Sequence, residues 1–140
     1  MIDEDVVARR LLAMNEALRE LERPGAADER ALVVDPVLRA AVERWLQVAI
    51  EACIDVADHV VAAHGWTPVE SARAGFARLA AHGKLPADLA DKLGDAAALR
   101  NILVHDYVSI DLARLARVVR EDLADLRAFA AQAAVWMTEG

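Results

Sequence analysis

Apolar residues recur at helical spacing along most of the chain. The first such segment covers about residues 5–22, and Pro24 and Gly25 end it. Its apolar positions follow one another at intervals of four and three: Val7, Leu11, Met14, Leu18 and Leu21. This spacing places them on one face of an amphipathic helix. A polar loop over residues 26–30 is expected to follow.

The second helical segment is the longest. Asp35 and Pro36 provide an N-cap and a proline at the first helical position, and the pattern continues to about His64 and Gly65. About 28 residues at ~1.5 Å each form a rod of roughly 40 Å. Apolar residues lie on most sides of this rod, which predicts a central helix that packs against several others.

Two shorter helices are predicted after the long one. Thr67 and Glu70 have the spacing of a capping box, which predicts a third helix over about residues 69–81. A fourth helix is predicted over about residues 87–105, where apolar residues again recur at helical spacing. Gly94 lies inside it and predicts a local irregularity.

A fifth helix is predicted over about residues 111–133, with Ser109 or Asp111 as its N-cap. No stretch alternates apolar and polar residues at strand period, and no linker is long enough to divide the chain. Apolar residues make up 56% of the sequence, with only 6 Gly and 4 Pro, which favours helices around a packed core. The sequence therefore predicts an all-α fold: one domain over residues 1–140, an antiparallel bundle of about five helices.

Composition and charge exclude several classes of protein. No window approaches the ~20 uninterrupted apolar residues of a membrane span, the first residues are acidic, unlike a secretory signal, and the single cysteine, Cys53, lies in an apolar helical run. These features predict a cytoplasmic protein with no membrane partner. The net charge of -7 opposes nucleic-acid binding through bulk electrostatics. We therefore expect no DNA partner, and any action on RNA requires a local cluster of arginines.

The segment 100–107 carries the candidate chemistry. Arg100, Asn101, His105 and Tyr107 surround an apolar triplet, residues 102–104, that is expected to anchor the segment to the core. An imidazole with an unperturbed pKa near ~6.5 suits acid–base catalysis near neutrality. A guanidinium stays protonated and presents a planar fork of donors to phosphate oxygens.

Each of these residues also has a purely structural interpretation, and for Asn101 it is an amide on the helix surface. His105 suits a helix C-terminus, because the helix dipole favours a cation there. Arg100 suits an ion pair with Asp55 or Asp106. Tyr107 suits a core ring with a tethered hydroxyl.

The spacing of Arg100 and His105 raises a geometric problem. Positions five apart lie about 140° around the axis of an ideal helix, so the two side chains do not project the same way from one intact helix. Either the helix frays near His105, or both residues face a cleft that a second copy of the chain completes. We favour the second alternative, a two-fold dimer with two sets of Arg100 and His105 in one groove.

The pattern Arg100-x4-His105-x-Tyr107 resembles the signature of the HepT-like ribonuclease toxins of the HEPN superfamily. The likeness covers about residues 36–130 and includes the polar face of the long helix and the turn at residues 65–68.

The resemblance implies a HEPN-like fold and metal-independent RNA cleavage at the interface of a homodimer, without a cofactor. Arg100, His105 and Asn101 are then the catalytic residues. It also implies a small nucleotidyltransferase antitoxin that silences the nuclease by transferring AMP to Tyr107. A nucleotide at that tyrosine adds bulk and negative charge where an RNA phosphate must lie.

Glu51, Asp55 and His59 are four residues apart and share one face of the long helix. Such a face is compatible with a metal ion, but the sequence offers no second helix with matching ligands. We prefer a solvated or cleft-lining polar stripe and expect no metal. In a HEPN-like fold, Asp55 is expected to hydrogen-bond Arg100 and hold it in place, with Glu51 as further support of the cleft.

Two further interpretations stay open. A non-catalytic helical dimer that binds a nucleotidyltransferase partner or a nucleotide agrees with the acidic charge, although it leaves the Arg/His/Tyr set unexplained. Trp66 and Trp136 would stack on RNA bases if they were exposed. Isolated tryptophans in a helical bundle are more often packing residues, and that is the preferred interpretation here.

Overall fold

The computed structural model of the chain describes residues 1–105 and 110–139, and this part of the chain forms seven α-helices without a strand. In chain order they are α1 (Glu4–Glu20), α2 (Glu29–Val34), α3 (Pro36–Ala63), α4 (Ala72–Ala81), α5 (Ala87–Val104), α6 (Leu112–Glu121) and α7 (Leu123–Thr138). The all-helical prediction is confirmed.

The long helix α3 is the centre of the bundle, as predicted, and packs against α1, α2, α4, α5 and α7. It begins where the sequence places its cap: the Asp35 carboxylate accepts hydrogen bonds from the backbone N–H groups of Val37 and Leu38. These bonds satisfy donors that a helix start otherwise leaves unpaired. Although α3 is 28 residues long, neither it nor any other described helix is long and apolar enough to cross a membrane.

Contacts between α1 and α3 show that these helices run antiparallel. The Met1 amino group donates to the Ala63 carbonyl at 2.7 Å, and the Asp3 backbone N–H donates to His59 Nε2 at 2.9 Å. Further along, Cys53 Sγ lies 3.2 Å from Met14 Sδ. Increasing residue numbers in α1 therefore pair with decreasing residue numbers in α3. Helices α5 and α7 are also antiparallel to each other, since ion pairs join Lys84 to Glu139 and Lys92 to Asp125.

Every buried side chain among the described residues is apolar. Phe129 packs edge-to-face against both Phe76 and Trp136, in the geometry that aromatic rings prefer. Trp136 is only 3% exposed, so it is a packing residue and not a surface for bases. Burial raises the pKa of the Cys53 thiol far above its ordinary range, which makes this thiol unreactive. The polar residues of interest therefore lie at the surface of the bundle.

Two segments differ from the predicted helices. Residues 29–34, partly predicted as loop, form α2 with Asp28 as its N-cap; a helix of six residues is too short to show apolar periodicity. The predicted fifth helix is two helices, because the chain bends at Asp122 between α6 and α7. The apolar spacing from Val119 to Leu123 continues across this bend, so the sequence pattern does not show it.

The start of α4 and the course of α5 also correct the predictions. The N-cap of α4 is Ser71, whose hydroxyl accepts from the Ala74 backbone N–H at 3.1 Å, so the capping box at Thr67 and Glu70 was wrong. The expected irregularity in α5 was wrong too, because the helix continues through Gly94. A Cβ at Gly94 would lie 2.7 Å from a guanidinium nitrogen of Arg73, so the glycine permits a close approach.

Candidate active site at the end of helix α5

Helix α5 ends just before the candidate histidine. Val104 is its last residue and His105 is the C-cap, with extended backbone angles (φ -95°, ψ 105°). The His105 N–H still donates to the Ile102 carbonyl at 3.3 Å. Because His105 has left the helix, the helical angle no longer sets the direction of its side chain relative to Arg100. Of the two alternatives drawn from the spacing, the helix that ends before His105 is present in a single chain, and the dimer stays a prediction.

The Arg100 guanidinium lies in a short polar network between α5 and α3. Its Nε donates to Asn101 Oδ1 at 3.1 Å, and its Nη1 lies 3.7 Å from Glu51 Oε1. The same Glu51 oxygen accepts a hydrogen bond from Gln47 Nε2 at 3.2 Å. Gln47 is one turn before Glu51 on α3, where side chains four residues apart are neighbours. The network therefore restrains Arg100 from both helices.

This arrangement leaves part of the guanidinium available. Arg100 is partly buried, with a side chain 25% exposed, and its Nη2 makes no hydrogen bond with any described residue. The asparagine and the glutamate thus orient the group without using all five of its N–H donors. A guanidinium held in this way can present a fork of donors to a phosphate oxygen.

The apolar triplet anchors the segment less completely than predicted. Ile102 and Leu103 are half-buried, and Leu103 packs against the core, but Val104 is 40% exposed. His105 is exposed as well. Tyr107, the predicted site of AMP transfer, lies outside the described residues.

Asp55 does not pair with Arg100, so that expectation was wrong. Asp55 Oδ2 lies 3.5 Å from Arg10 Nε, which α1 supplies, whereas Glu51 is the carboxylate that reaches Arg100. The two acids are one turn apart on the same face of α3. The axial offset between α3 and α5 decides which of them meets the arginine, and this offset is a property of the packed bundle.

The polar face of α3 is divided among different partners. Glu51 faces Arg100 on α5, Asp55 faces Arg10 on α1, and His59 accepts from the Asp3 backbone at the start of α1. No three acidic, histidine or cysteine side chains of residues 1–105 and 110–139 converge in a metal-binding arrangement. The structure thus gives each of these residues a role in positioning helices or Arg100.

Sequence reasoning missed two residues near the site. Gln47 has a signal in the sequence, its four-residue spacing from Glu51. Asp58 extends the acidic face by one more turn, and burial together with the neighbouring Asp55 raises the pKa of its carboxyl group, while Arg100 opposes the shift. This response shows that Asp58 lies within the electrostatic reach of Arg100.

Trp66 is enclosed by two histidines. Its indole stacks against His82 with ring centroids 3.7 Å apart and against His64 with centroids 4.5 Å apart. Two imidazoles at these distances do not fit side by side on one indole face, so they cover opposite faces. His64 and His82, each followed by a glycine, are the C-caps of α3 and α4. The faces of Trp66 are therefore not open to a base.

The fold and the site together define a class: a helical bundle with an arginine and a histidine at the end of one helix. A sequence model of the family described as "Ribonuclease HepT-like" matches residues 14–133. The chain belongs to this family, and the predicted family resemblance is confirmed.

Individual relatives agree with the family assignment. The chain is 29% identical to the mRNA nuclease HepT of Shewanella oneidensis over 125 residues, which cover 89% of this chain and 93% of the relative. A solved structure of a tri-AMPylated Shewanella oneidensis HEPN toxin in complex with MNT antitoxin matches with a TM-score of 0.85 and 27% identity, over 95% of this chain and 99% of that one. YutE, a cytosolic protein of Bacillus subtilis, has the same fold (TM-score 0.85, 16% identity, 97% and 91% coverage).

Proposed function

We propose that this chain is a metal-independent endoribonuclease and the toxin of a toxin–antitoxin pair, acting on RNA in the cytoplasm. The observation that carries the proposal is the end of α5, where Asn101 and Glu51 orient Arg100 and the helix stops at His105. Membership of the HepT-like family and similarity to an mRNA nuclease support it.

The proposed reaction is attack of an RNA 2'-hydroxyl on the adjacent phosphorus. A base removes the proton from the 2'-oxygen, the O2'–P bond forms, the P–O5' bond breaks, and an acid protonates the departing 5'-oxygen. The products are a 2',3'-cyclic phosphate and a 5'-hydroxyl. His105 supplies one proton-transfer group, and Arg100 stabilises the charge that develops on the phosphorane. Asn101 positions Arg100 through the hydrogen bond to its Nε.

A homodimer supplies the second proton-transfer group in this proposal. One imidazole does not serve as base and acid in the same step, so the second copy of the chain contributes its own His105 to a shared groove. The exposure of His105 at the surface of the subunit supports this arrangement.

The proposal includes silencing by a nucleotidyltransferase antitoxin. A matching structure is described as tri-AMPylated and in complex with MNT antitoxin, and we propose that Tyr107 of this chain receives the AMP. Tyr107 is two residues from His105 in sequence. Because of this short separation in sequence, we propose that the phosphate charge added to Tyr107 repels the RNA backbone.

Cleavage of RNA in the presence of a chelator tests the proposal. We expect the purified chain to cut single-stranded RNA with excess EDTA and to lose this activity after AMP transfer by the antitoxin. Intact mass spectrometry should show one or more AMP increments in the wild-type chain and none in Tyr107→Phe. Absence of cleavage by unmodified, folded protein contradicts the proposal.

The net charge of -7 favours a second candidate, a non-catalytic dimer that binds a nucleotidyltransferase or a nucleotide. This candidate predicts a tight complex with the antitoxin and no nuclease activity in any state. The chelator experiment separates the two, because only the nuclease produces RNA fragments with 2',3'-cyclic phosphate ends.

A further inference from the structure

A cavity lies along α3, beyond the acidic residues that contact Arg100 and Arg10. It occupies about 250 Å³ between the end of α3 and the connection to α4, which is just below the ~300–1,000 Å³ of pockets that enclose drug-sized ligands. The cavity therefore has room for a flat group such as a single base. It is lined by Asp58, Val61, Ala62, Trp66, Pro68 and Val69.

The walls of this cavity are held by the fold on several sides. The α3 helix ends with Gly65 at φ +66°, and the Trp66 N–H donates to the Val61 carbonyl at 3.2 Å, a helix-ending turn that fixes the start of the connection. Arg78 on α4 donates to the Thr67 carbonyl. Because two histidine rings cover its faces, Trp66 contributes an edge of its indole to the wall. These hydrogen bonds thus hold the cavity walls in place where α3 connects to α4.

Asp58 is the charged group of the cavity. Its carboxylate makes no hydrogen bond or ion pair with any described residue. A Cβ placed on Gly75 of α4 would lie 3.7 Å from Asp58 Oδ1 and 3.7 Å from a Val69 methyl carbon, ordinary contact distances, so α4 packs beside both side chains. Burial raises the pKa of the Asp58 carboxyl group, as expected for a carboxylate partly withdrawn from water. Asp58 is exposed, so its oxygens are acceptors that no described residue pairs and that a ligand can reach.

The cavity and the candidate active site share one face of α3. Asp58 lies seven residues after Glu51, about two helical turns or ~10 Å along the axis. A short stretch of single-stranded RNA spans such a distance. Arg100 is also close enough to influence the Asp58 carboxyl group. The cavity is therefore within reach of an RNA strand whose scissile phosphate lies at Arg100.

We propose that this cavity is a guanine-binding pocket for a nucleotide flanking the cleaved bond, with Asp58 as the residue that selects the base. A carboxylate only accepts hydrogen bonds, and guanine is the base whose Watson–Crick edge presents two adjacent donors, N1–H and the 2-amino group. Adenine and cytosine place an acceptor beside their amino donor, and uracil places its single N–H between two acceptors. The apolar walls contact the ring, as in pockets that hold single unstacked bases.

This inference rests on the proposed nuclease function for its first test, the mapping of cleavage sites in a random RNA pool. We expect guanine to be enriched at one fixed position beside the cleaved bond. Asp58→Asn should reduce this enrichment about tenfold, within the range for losing one paired base contact. Ala62→Leu, which fills the cavity from an exposed position, should do the same. Asp91→Asn, on an exposed part of α5, should keep the wild-type preference.

The second test does not require cleavage. Guanosine should shift the indole N–H signal of Trp66 in the NMR spectrum of the full chain, whereas adenosine should not, and Asp58→Asn should abolish the shift. The signal is assigned from the spectrum of Trp66→Phe. A chain that responds to guanosine but cuts no RNA retains the pocket and refutes the nuclease. A chain that cuts RNA without base preference, and whose Trp66 signal ignores guanosine, refutes the pocket and retains the nuclease.

Discussion

The N-terminal and C-terminal ends of α5 differ in how deeply their side chains are buried. Toward the N-terminus, Leu89 and Leu93 are buried and Gly94 lies directly beneath Arg73. Beyond Leu99, at the C-terminal end, every residue through His105 is at least partly exposed. One end of the helix therefore buries apolar surface, and the other carries the polar network around Arg100.

Within this one helix, the residues that stabilise the fold are therefore separate from the residues that are proposed to act on RNA. Burial of apolar side chains is the main favourable contribution to folding, so substitutions at the N-terminal end should change the free energy of unfolding. The C-terminal end of α5 buries little apolar surface. Substitutions there should therefore change the rate of RNA cleavage, with small effects on the free energy of unfolding. The predictions for Leu93, Arg100 and Gln47 test this separation.

Leu93→Ala should have the largest effect on stability. Leu93 is 1% exposed, and removing a buried leucine side chain typically costs about 2–5 kcal/mol through lost burial and the cavity left behind. Urea denaturation measures this loss. Leu103→Ala, at the half-buried polar end, is the matched control and should cost less than half as much. Equal losses at both positions would contradict the separation.

Arg100→Ala should have the largest effect on RNA cleavage. Removing one preorganised donor from developing charge typically lowers the rate roughly 10²–10³-fold, and the midpoint of unfolding should change little because the side chain is partly exposed. Initial rates on a fluorescent RNA strand give the comparison. Arg19→Ala removes an exposed arginine from α1 and should retain the wild-type rate; a similar loss in both variants would mean that overall charge, not position, matters.

Gln47→Ala should have a smaller effect on rate. Gln47 reaches Arg100 only through Glu51, so its loss loosens the guanidinium without removing it. We expect a decrease of about threefold to tenfold, the equivalent of one hydrogen bond of ~0.5–1.5 kcal/mol. Gln132→Ala on α7 is the matched control. An unchanged rate in Gln47→Ala would remove the residue from the network that positions Arg100.

Asp122→Asn should produce the smallest effect, a small change in the free energy of unfolding. This change should stabilise the protein, whereas Leu93→Ala destabilises it. Burial, followed by the nearby Asp125 and Glu121, raises the pKa of the Asp122 carboxyl group above its ordinary 3.8. The folded protein therefore binds this proton more tightly than the unfolded chain, and ionisation above that pKa costs stability.

The amide should accordingly stabilise the protein near neutral pH, by less than ~1 kcal/mol at so exposed a position. The gain should shrink as the pH falls through the raised pKa and vanish below 3.8. Thermal unfolding as a function of pH measures the effect, with Asp91→Asn as control. A gain that persists in acid would point to a cause other than charge.

The sequence predicts the long elements of this fold well, because long helices repeat their apolar spacing many times. The central helix α3 and its Asp35 cap lie where the pattern places them. Short or interrupted elements carry less signal. The six residues of α2 complete fewer than two turns, and the bend at Asp122 keeps the apolar register of a continuous helix.

The site was predictable by residue type but not by pairing. The segment around Arg100 and His105 is apparent from its spacing, and the HepT-like family assignment agrees with it. Which carboxylate pairs with Arg100 depends on the axial offset between α3 and α5 in the packed bundle. In the structure this offset places Glu51, and not Asp55, beside Arg100. The cavity at Asp58 requires the α3–α4 corner, whose residues are close only in the folded chain.

Cleavage of an RNA strand with a single 2'-deoxy nucleotide at the cut site, compared with its all-ribose counterpart in EDTA, tests the central claim most directly. The wild-type chain should cut only the all-ribose strand, because the deoxy strand lacks the attacking hydroxyl, and His105→Ala should cut neither. Cleavage of the deoxy strand at the same bond, or a wild-type rate in His105→Ala, would contradict the account.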